Sequence, residues 1–489
     1  MKRTKVVVLS FSDMLLHSPS FFLTCLLMFS SMFVALASAE ELLPPPISPN
    51  STSFDLSSAI SRALNANRQL ISQLDQVVKA KYGISLAESE FEILAIPNAK
   101  SGYVGGGRDG VGLSVGGGVD FSKKFITGTR FTFTPYILKT PDRYHTDLKA
   151  VISQPLLRGF GRAYQMSHLL GAQFAARSAV RGAYIAQQQL VTRTITGLYE
   201  IVKAEKTVEL YKSSHQRIFN FYAAAQWKEK IGLAEALDLY RAKIELENAD
   251  DQLNSATERL QAALDSLKDL LALPLDMELN VTVPLTLSKN NLTLEEATHI
   301  GLKHRLEIEQ AREQKEDVLR QSFIAKKNLW PELNLVVDYA NCGSDEIFTQ
   351  TCWSQNRRST WGLGLTTSTD FNATNQRIAY DQSLIAVHAA ERGIDAVMST
   401  VSLEVRRSFR TLERNHKKIE TQEKQIHTAL GGLKLAELKF KRGLANNFDV
   451  IQAEKSLIAA QVGYWSSLID SIVGEYQFLG TLGVLCDQP

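Results

Sequence analysis

Two aspartates, Asp238 and Asp449, occupy the same place in two copies of one pattern, six residues after the glycine of a Gly-Leu-Ala triplet: Gly232 and Leu233 in the first copy, Gly443 and Leu444 in the second. A glycine permits the positive φ of a tight helical turn. An acid just inside the helix that follows interacts favourably with the N-terminal dipole, and the same acid repeated by rotational symmetry forms a ring of negative charge that favours cations. Both uses are compatible with the pattern. Other chemistry finds little support. The nine histidines show no HExxH spacing, so no metal site is expected. Gly105, Gly106 and Gly107 do not lie between a strand and a helix start, as a phosphate cradle requires, and the basic run Arg414 to Lys418 reads as a solvated helix face. No nucleophile, base and orienting group fall together, so neither an enzyme nor a cofactor is expected. Cys342 and Cys352 flank a polar run, NCGSDEIFTQTCW, where an exported protein forms either a disulfide or two unpaired thiols.

The aspartates are placed by long helices. From Leu239, steps of three and four meet Ala242, Leu246, Ala249, Leu253, Ala256, Leu260, Ala263, Leu267 and Leu270; from Val450 they meet Ala453, Leu457, Ala460, Tyr464, Ser467, Ser471, Gly474, Phe478 and Thr481. This is a coiled-coil seam in which small residues alternate with large ones and let backbones approach closely. Its recurrence marks an internal duplication. Residues 40–285 form the first repeat and 286–489 the second, each reading helix, strands, long helix, shorter helix. The first repeat begins with a helix from Leu56 to about Ala95, stopped at Pro97, and continues with candidate strands at Val111 to Phe121, Arg130 to Tyr136 and Leu148 to Ser153. The second carries strands at Leu333 to Tyr339 and Trp361 to Thr367. Helices of about 70 residues, Ala163 to Ile231 and Ala373 to Arg442, are roughly 100 Å long, so that two 40-residue helices of roughly 60 Å each, placed end to end, approximate one of them plus a break. Two short rods thus lie beside one long rod, with the strands at one end of the assembly and the Gly-Leu-Ala turns at the other.

Residues 1–39 read as a secretory signal peptide, with Lys2, Arg3 and Lys5 before an apolar run from Phe21 to Leu36 and small residues at Ala37 to Ala39; an uncleaved anchor is the alternative. Its removal leaves equal numbers of acidic and basic residues, which argues against nucleic acid as a partner. No later run is long and apolar enough for a membrane helix. If the mature chain enters a membrane it does so through strands, and two strands per repeat cannot close a barrel alone. Several chains must then share one barrel, with their helices as a tube beneath it.

The stretches Gln154 to Arg162 (QPLLRGFGR), Trp330 to Leu333 (WPEL), the two Gly-Leu-Ala turns and GLANNFDVIQAEKSLIAAQVGY from Gly443 together resemble the TolC-like outer-membrane efflux protein family over about residues 50–485. The resemblance implies a mainly α fold with a small β part: a homotrimer with a shared 12-stranded transmembrane β-barrel and an α-barrel of long antiparallel hairpins extending into the periplasm. It implies docking to a periplasmic adaptor protein and an inner-membrane pump, in efflux or type I secretion. Gly232 with Asp238 and Gly443 with Asp449 match the family's tip turns, which makes these residues, with Leu233 and Leu444, gate candidates. The chain departs from the pattern at Ala445, where family members can carry a basic gate residue that pairs with the acids, and at Gln452, where some have a second Asp, which weakens the charge ring. The reading set against this one is a periplasmic helical adaptor or scaffold without a membrane barrel.

Overall fold

The computed structural model describes residues 53–105, 110–232, 235–287, 292–348, 351, 358–368, 372–442 and 444–485, all within one compact unit. After a two-residue strand β1 (Ser53–Phe54) come α1 (Leu56–Ala66) and α2 (Arg68–Ser89), then four strands, β2 (Ile93–Val104), β3 (Gly112–Lys124), β4 (Arg130–Lys139) and β5 (Tyr144–Pro155). A short α3 (Arg162–Gln165) leads into α4 (Ser167–Lys230) and α5 (Ala236–Leu270), and β6 (Asn280–Val281) pairs with β1. The second half runs α6 (Leu294–His304), α7 (Leu306–Lys327), β7 (Glu332–Asp345), β8 (Arg358–Ser368), α8 (Thr374–Lys441) and α9 (Asn447–Leu482).

The halves correspond in helix length: 11 and 11 residues for α1 and α6, 22 and 22 for α2 and α7, 64 and 68 for α4 and α8, 35 and 36 for α5 and α9. The expected helix from Leu56 to Ala95 is corrected in two places. It breaks at Asn67, whose side-chain oxygen caps α2 by accepting from the Gln69 and Leu70 N–H groups, while its Nδ2 donates to the Leu270 carbonyl at 3.0 Å. Arg305 stands at the matching break between α6 and α7, and its guanidinium donates to the Thr481 carbonyl at 3.2 Å. Both breaks thus satisfy orphan carbonyls at the ends of α5 and α9. The helix also stops at Ser89, and Pro97 lies within β2, an edge strand that tolerates a residue without an N–H.

The short helices stack against the long ones as their lengths require. Arg193 on α4 reaches Gln69 on α2, Arg181 on α4 reaches Gln310 on α7, and Ser383 on α8 meets Ser322 on α7. Lower down, α5 and α9 take the places of α2 and α7 beside α4, and α9 lies between α4 and α8. The hydrophobic core concentrates where short and long helices meet: Leu198, Ile201, Leu267 and Leu271 in one cluster, Ile195, Tyr199, Ile469 and Ile472 in a second, Val401, Val405, Phe478 and Leu482 in a third. Tyr199 is fully buried there; its hydroxyl donates to the Pro284 carbonyl at 2.9 Å, and burial, with Tyr476 beside it, pushes its pKa up to about 12. In the α5 seam the small members, Ala242, Ala249 and Ala256, are buried and the leucines between them half-buried, as close backbone approach demands.

Helix ends repeat as well. Gly483 ends α9 at φ +76°, and Ala272, 211 residues earlier, follows α5 at φ +51°. A Cβ in the left-handed region costs roughly 1 kcal/mol. Ala272→Gly is therefore expected to stabilise the fold by about 0.5–1 kcal/mol, read as a rise in thermal midpoint; an unchanged or lowered midpoint would show that the turn carries no such strain.

The strands form one antiparallel sheet in the order β2-β3-β4-β5-β7-β8, six long strands against five candidates in the sequence and the two per repeat counted for the barrel. Against two per repeat the extra hairpin is β2 and β3; β3 coincides with the candidate Val111 to Phe121, and β2 is the strand without a candidate. The glycines of β3 serve packing: Gly116 and Gly118 leave room for the Tyr136 side chain and the Pro135 carbonyl of β4, and where Pro135 interrupts β4 the β3–β4 ladder skips from Gly118↔Tyr136 to Phe121↔Phe133. The register sorts the residues by face. One row reads Ala95, Phe121, Phe133, Ala150, Tyr339, Trp361 and the next Ile93, Lys123, Phe131, Ile152, Val337, Leu363. On the opposite face a row reads Asn98, Gly118, Tyr136, Asp147, Cys342, Arg358. Cys342 therefore lies on strand β7 rather than in a loop, because β7 pairs with β5 as far as Asp345; Cys352 lies outside the described residues.

Candidate functional site

The turns that carry the two aspartates lie together at the ends of the hairpins opposite the strands. Helix α4 closes at Gly232, whose φ of +74° reverses the chain and whose N–H donates to the Glu229 carbonyl at 2.9 Å. Leu233 and Gly443 lie outside the described residues; Leu444 is 74% exposed, its N–H bonded to the Lys439 carbonyl at 2.8 Å. Asp238 sits in the first turn of α5, half-buried, with Arg241 one turn on at 4.0 Å. Asp449 sits in the first turn of α9 and closes a capping box: its N–H donates to the Asn446 side chain at 3.1 Å and its carboxylate accepts from the Asn446 N–H at 3.3 Å. The Asn447 Nδ2 donates to the Asp238 carbonyl at 3.0 Å and ties the two turns together. The structure thus brings both aspartates to one end of the molecule, and gives Asp449 a capping role that the sequence alone left open.

Above the turns, residues that periodicity did not single out hold the helices in register. Glu454 of α9 is 5% exposed; its Oε1 accepts from the Ser214 hydroxyl at 3.0 Å and from the Arg217 guanidinium at 2.6 and 2.9 Å, both on α4. Glu245 of α5, also buried, pairs with Lys455 of α9 at 2.7 Å. A signal for Glu454 existed: it falls in the apolar register of Val450, Ile451, Leu457 and Ile458, where a charge must be paired. Between α4 and the end of α8 lies a groove of about 520 Å³, in which Phe221 packs against Phe440 at a tilt of 46° with centroids 5.0 Å apart and Lys228 stands 3.5 Å over the Phe440 ring. Higher up, hydrogen bonds from Arg181, with Arg177 adding to them, hold the Glu313 carboxyl below the usual carboxylate range.

Among the described residues no group of three or more His, Cys, Asp and Glu side chains is placed to hold a metal ion, and no helix is long and apolar enough to cross a membrane. The sheet is the part suited to lipid. Its apolar face is uncovered in the single chain, with Leu113, Val115, Ile137, Ile152, Leu363 and Leu365 all exposed, while its other face is mainly polar, with Asn98, Asp120, Lys149, Asp147 and Arg358 among larger apolar residues such as Tyr136 and Val336.

Comparison with known proteins adds to this geometry. Residues 299–464 match the family model for outer membrane efflux proteins. No curated protein sequence matches the chain. The fold is similar to that of the outer membrane protein VceC of Vibrio cholerae (15% identity, 88% of this chain and 96% of that one, TM-score 0.69), of the outer-membrane channel CmeC of Campylobacter jejuni (14% identity, 88% and 86%, TM-score 0.69) and of the outer-membrane channel MtrE of Neisseria gonorrhoeae (16% identity, 88% and 89%, TM-score 0.65). The chain thus resembles the TolC-like outer-membrane efflux proteins, carrying their sequence signature in its second half and their fold over most of its length.

Proposed function

We propose that this chain forms a homotrimeric outer-membrane channel, a passive export duct of a tripartite efflux or type I secretion system that works with a periplasmic adaptor and an inner-membrane pump. The observation that carries this reading is a sheet with one apolar, uncovered face and one mainly polar face, in a chain whose strands are followed by helices of 64 and 68 residues, or roughly 100 Å. A polar wall inside and an apolar wall outside is what a water-filled pore in lipid requires. The helices continue the duct into the periplasm, and the correspondence of the two halves fits an internal duplication that builds the tube wall from similar hairpins. Apolar residues left uncovered near the tip, Leu237, Tyr240 and Ile244 on α5 and Leu435 and Leu438 on α8, fit contacts between neighbouring copies. A periplasmic adaptor is the weaker reading, because a soluble β-domain buries its apolar face. Cell fractionation tests the proposal: the mature protein belongs in the outer-membrane fraction and leaves it as a detergent-soluble trimer, whereas recovery in the periplasmic extract would contradict it.

At the tip, the turns of Gly232, Leu233 and Asp238 and of Gly443, Leu444 and Asp449 form the constriction and the docking surface. Three copies would bring six aspartates to one rim, a field that favours cations. Replacing Asp238 and Asp449 together with Ala should raise single-channel conductance or lower cation preference. Loss of the Asp449 carboxylate, the N3 partner of the Asn446 cap, also costs about 0.3–1 kcal/mol of helix stability. Unchanged conductance and selectivity with that stability loss alone would leave the pair as helix-terminal residues only.

A further inference from the structure

We propose that β2 and β3 belong to the membrane wall and that the free edge of β2 pairs with the free edge of β8 on the next copy of the chain, so that three copies close an 18-stranded barrel rather than a 12-stranded one. The inference rests on the trimeric channel reading above and concerns how its wall is built.

Four observations carry it. First, the register carries most of the face pattern into the extra hairpin: Ala95 and Phe121 head the apolar row that ends at Trp361, and Asn98 heads the polar row that ends at Arg358, with Lys123 the exception on the apolar face and Leu94 and Ile96 on the polar one. On the polar face Asn98 Nδ2 donates to Asp120 at 2.9 Å across β2 and β3, so polar partners meet there and apolar ones on the other side. A hairpin lying outside the wall, in water, would have no cause to keep that sorting. Second, β2 and β8 each have one neighbour among the described residues, and with six strands alternating in direction they run opposite ways. Rotation about a common axis therefore sets β8 of one copy antiparallel to β2 of the next, and a bilayer leaves no backbone edge unpaired. The two strands are 12 and 11 residues long, enough to span it tilted.

Third, the same seam bounds the helices. Helix α2 runs into β2 and α8 runs out of β8, and both carry uncovered apolar residues: Leu74, Val78 and Tyr82 on α2, Ile378 and Ile385 on α8. The edges of the sheet and of the helical layer thus coincide, which a second copy of this chain covers in one contact. Fourth, the widths agree. Six strands about 4.8 Å apart and tilted by about 40° occupy roughly 38 Å of circumference. The four helices beside one another below them, α2, α4, α7 and α8, occupy about 36–40 Å at 9–10 Å each. Four strands would cover only about 25 Å by the same spacing.

A cryo-electron-microscopy map of the wild-type trimer in detergent, sectioned across the barrel, tests the proposal directly. It should show 18 strands with β8 of each copy beside β2 of the next. A closed 12-stranded barrel with β2 and β3 outside it would overturn the inference and leave the channel reading intact; a particle with no barrel would overturn both. As a second measurement, Val119→Arg, on the apolar face at the middle of β3, should reduce trimer in the outer membrane as severely as the same change in β8. Wild-type trimer yield in that variant would place β3 outside the wall and overturn the inference.

Discussion

Leu363→Arg is expected to abolish most assembly of the protein in the outer membrane. Leu363 stands at the middle of β8, 66% exposed on the apolar face, in the row with Ile93, Phe131, Ile152 and Val337. At the midplane of a bilayer an arginine on the lipid face costs about 2–4 kcal/mol. A trimer places three copies of that charge in one barrel, so the penalty is paid three times per assembly. Thr366→Lys, on the opposite face of the same strand, should leave trimer yield near wild type and change only ion selectivity. Trimer content of the outer-membrane fraction reads both. Equal tolerance of the two substitutions would show that the apolar face does not meet lipid.

The second large effect lies in the helices. Arg217→Ala removes the cation beside Glu454, leaving a carboxylate that is 5% exposed with Ser214 as its remaining partner. Breaking a buried pair by removing one member costs about 3–5 kcal/mol. Arg217 itself is 39% exposed, so solvent screens part of the pair and about 2–3 kcal/mol is the expected loss. Replacing both residues with Met should recover most of it, since the penalty arises from the stranded charge. Thermal unfolding of the detergent-solubilised protein measures both. A single variant as stable as wild type would mean that Glu454 finds water or another partner.

Much of the helical architecture was legible because it is periodic. The seams from Leu239 and Val450, the two long helices and the positions of the Gly-Leu-Ala turns all follow from spacing, and the alternation of buried Ala with half-buried Leu in α5 is what the sequence pattern expresses. Five of the six long strands were legible from alternation, Val111 to Phe121, Arg130 to Tyr136, Leu148 to Ser153, Leu333 to Tyr339 and Trp361 to Thr367, although each runs longer than its alternating core. Strand β3 was legible through Leu113, Val115, Val119 and Phe121, but not why it carries Gly116 and Gly118, which make room for Tyr136 and Pro135 of β4. Strand β2 was read as the end of a helix because Pro97 stops helices as readily as it marks edge strands. At the tip, the positions of Asp238 and Asp449 were legible, but the capping box of Asp449 depends on Asn446 closing back on it. The Glu454 pair joins residues 237 apart in sequence, a contact that no local pattern contains.

The central claim is that this chain conducts. Purified, detergent-solubilised protein added to a planar lipid bilayer should insert as discrete units and give stepwise ion conductance, with steps of one size that shift in the Asp238→Ala, Asp449→Ala double variant. A protein that stays monomeric and soluble without detergent, and adds no conductance at any concentration, would contradict the account.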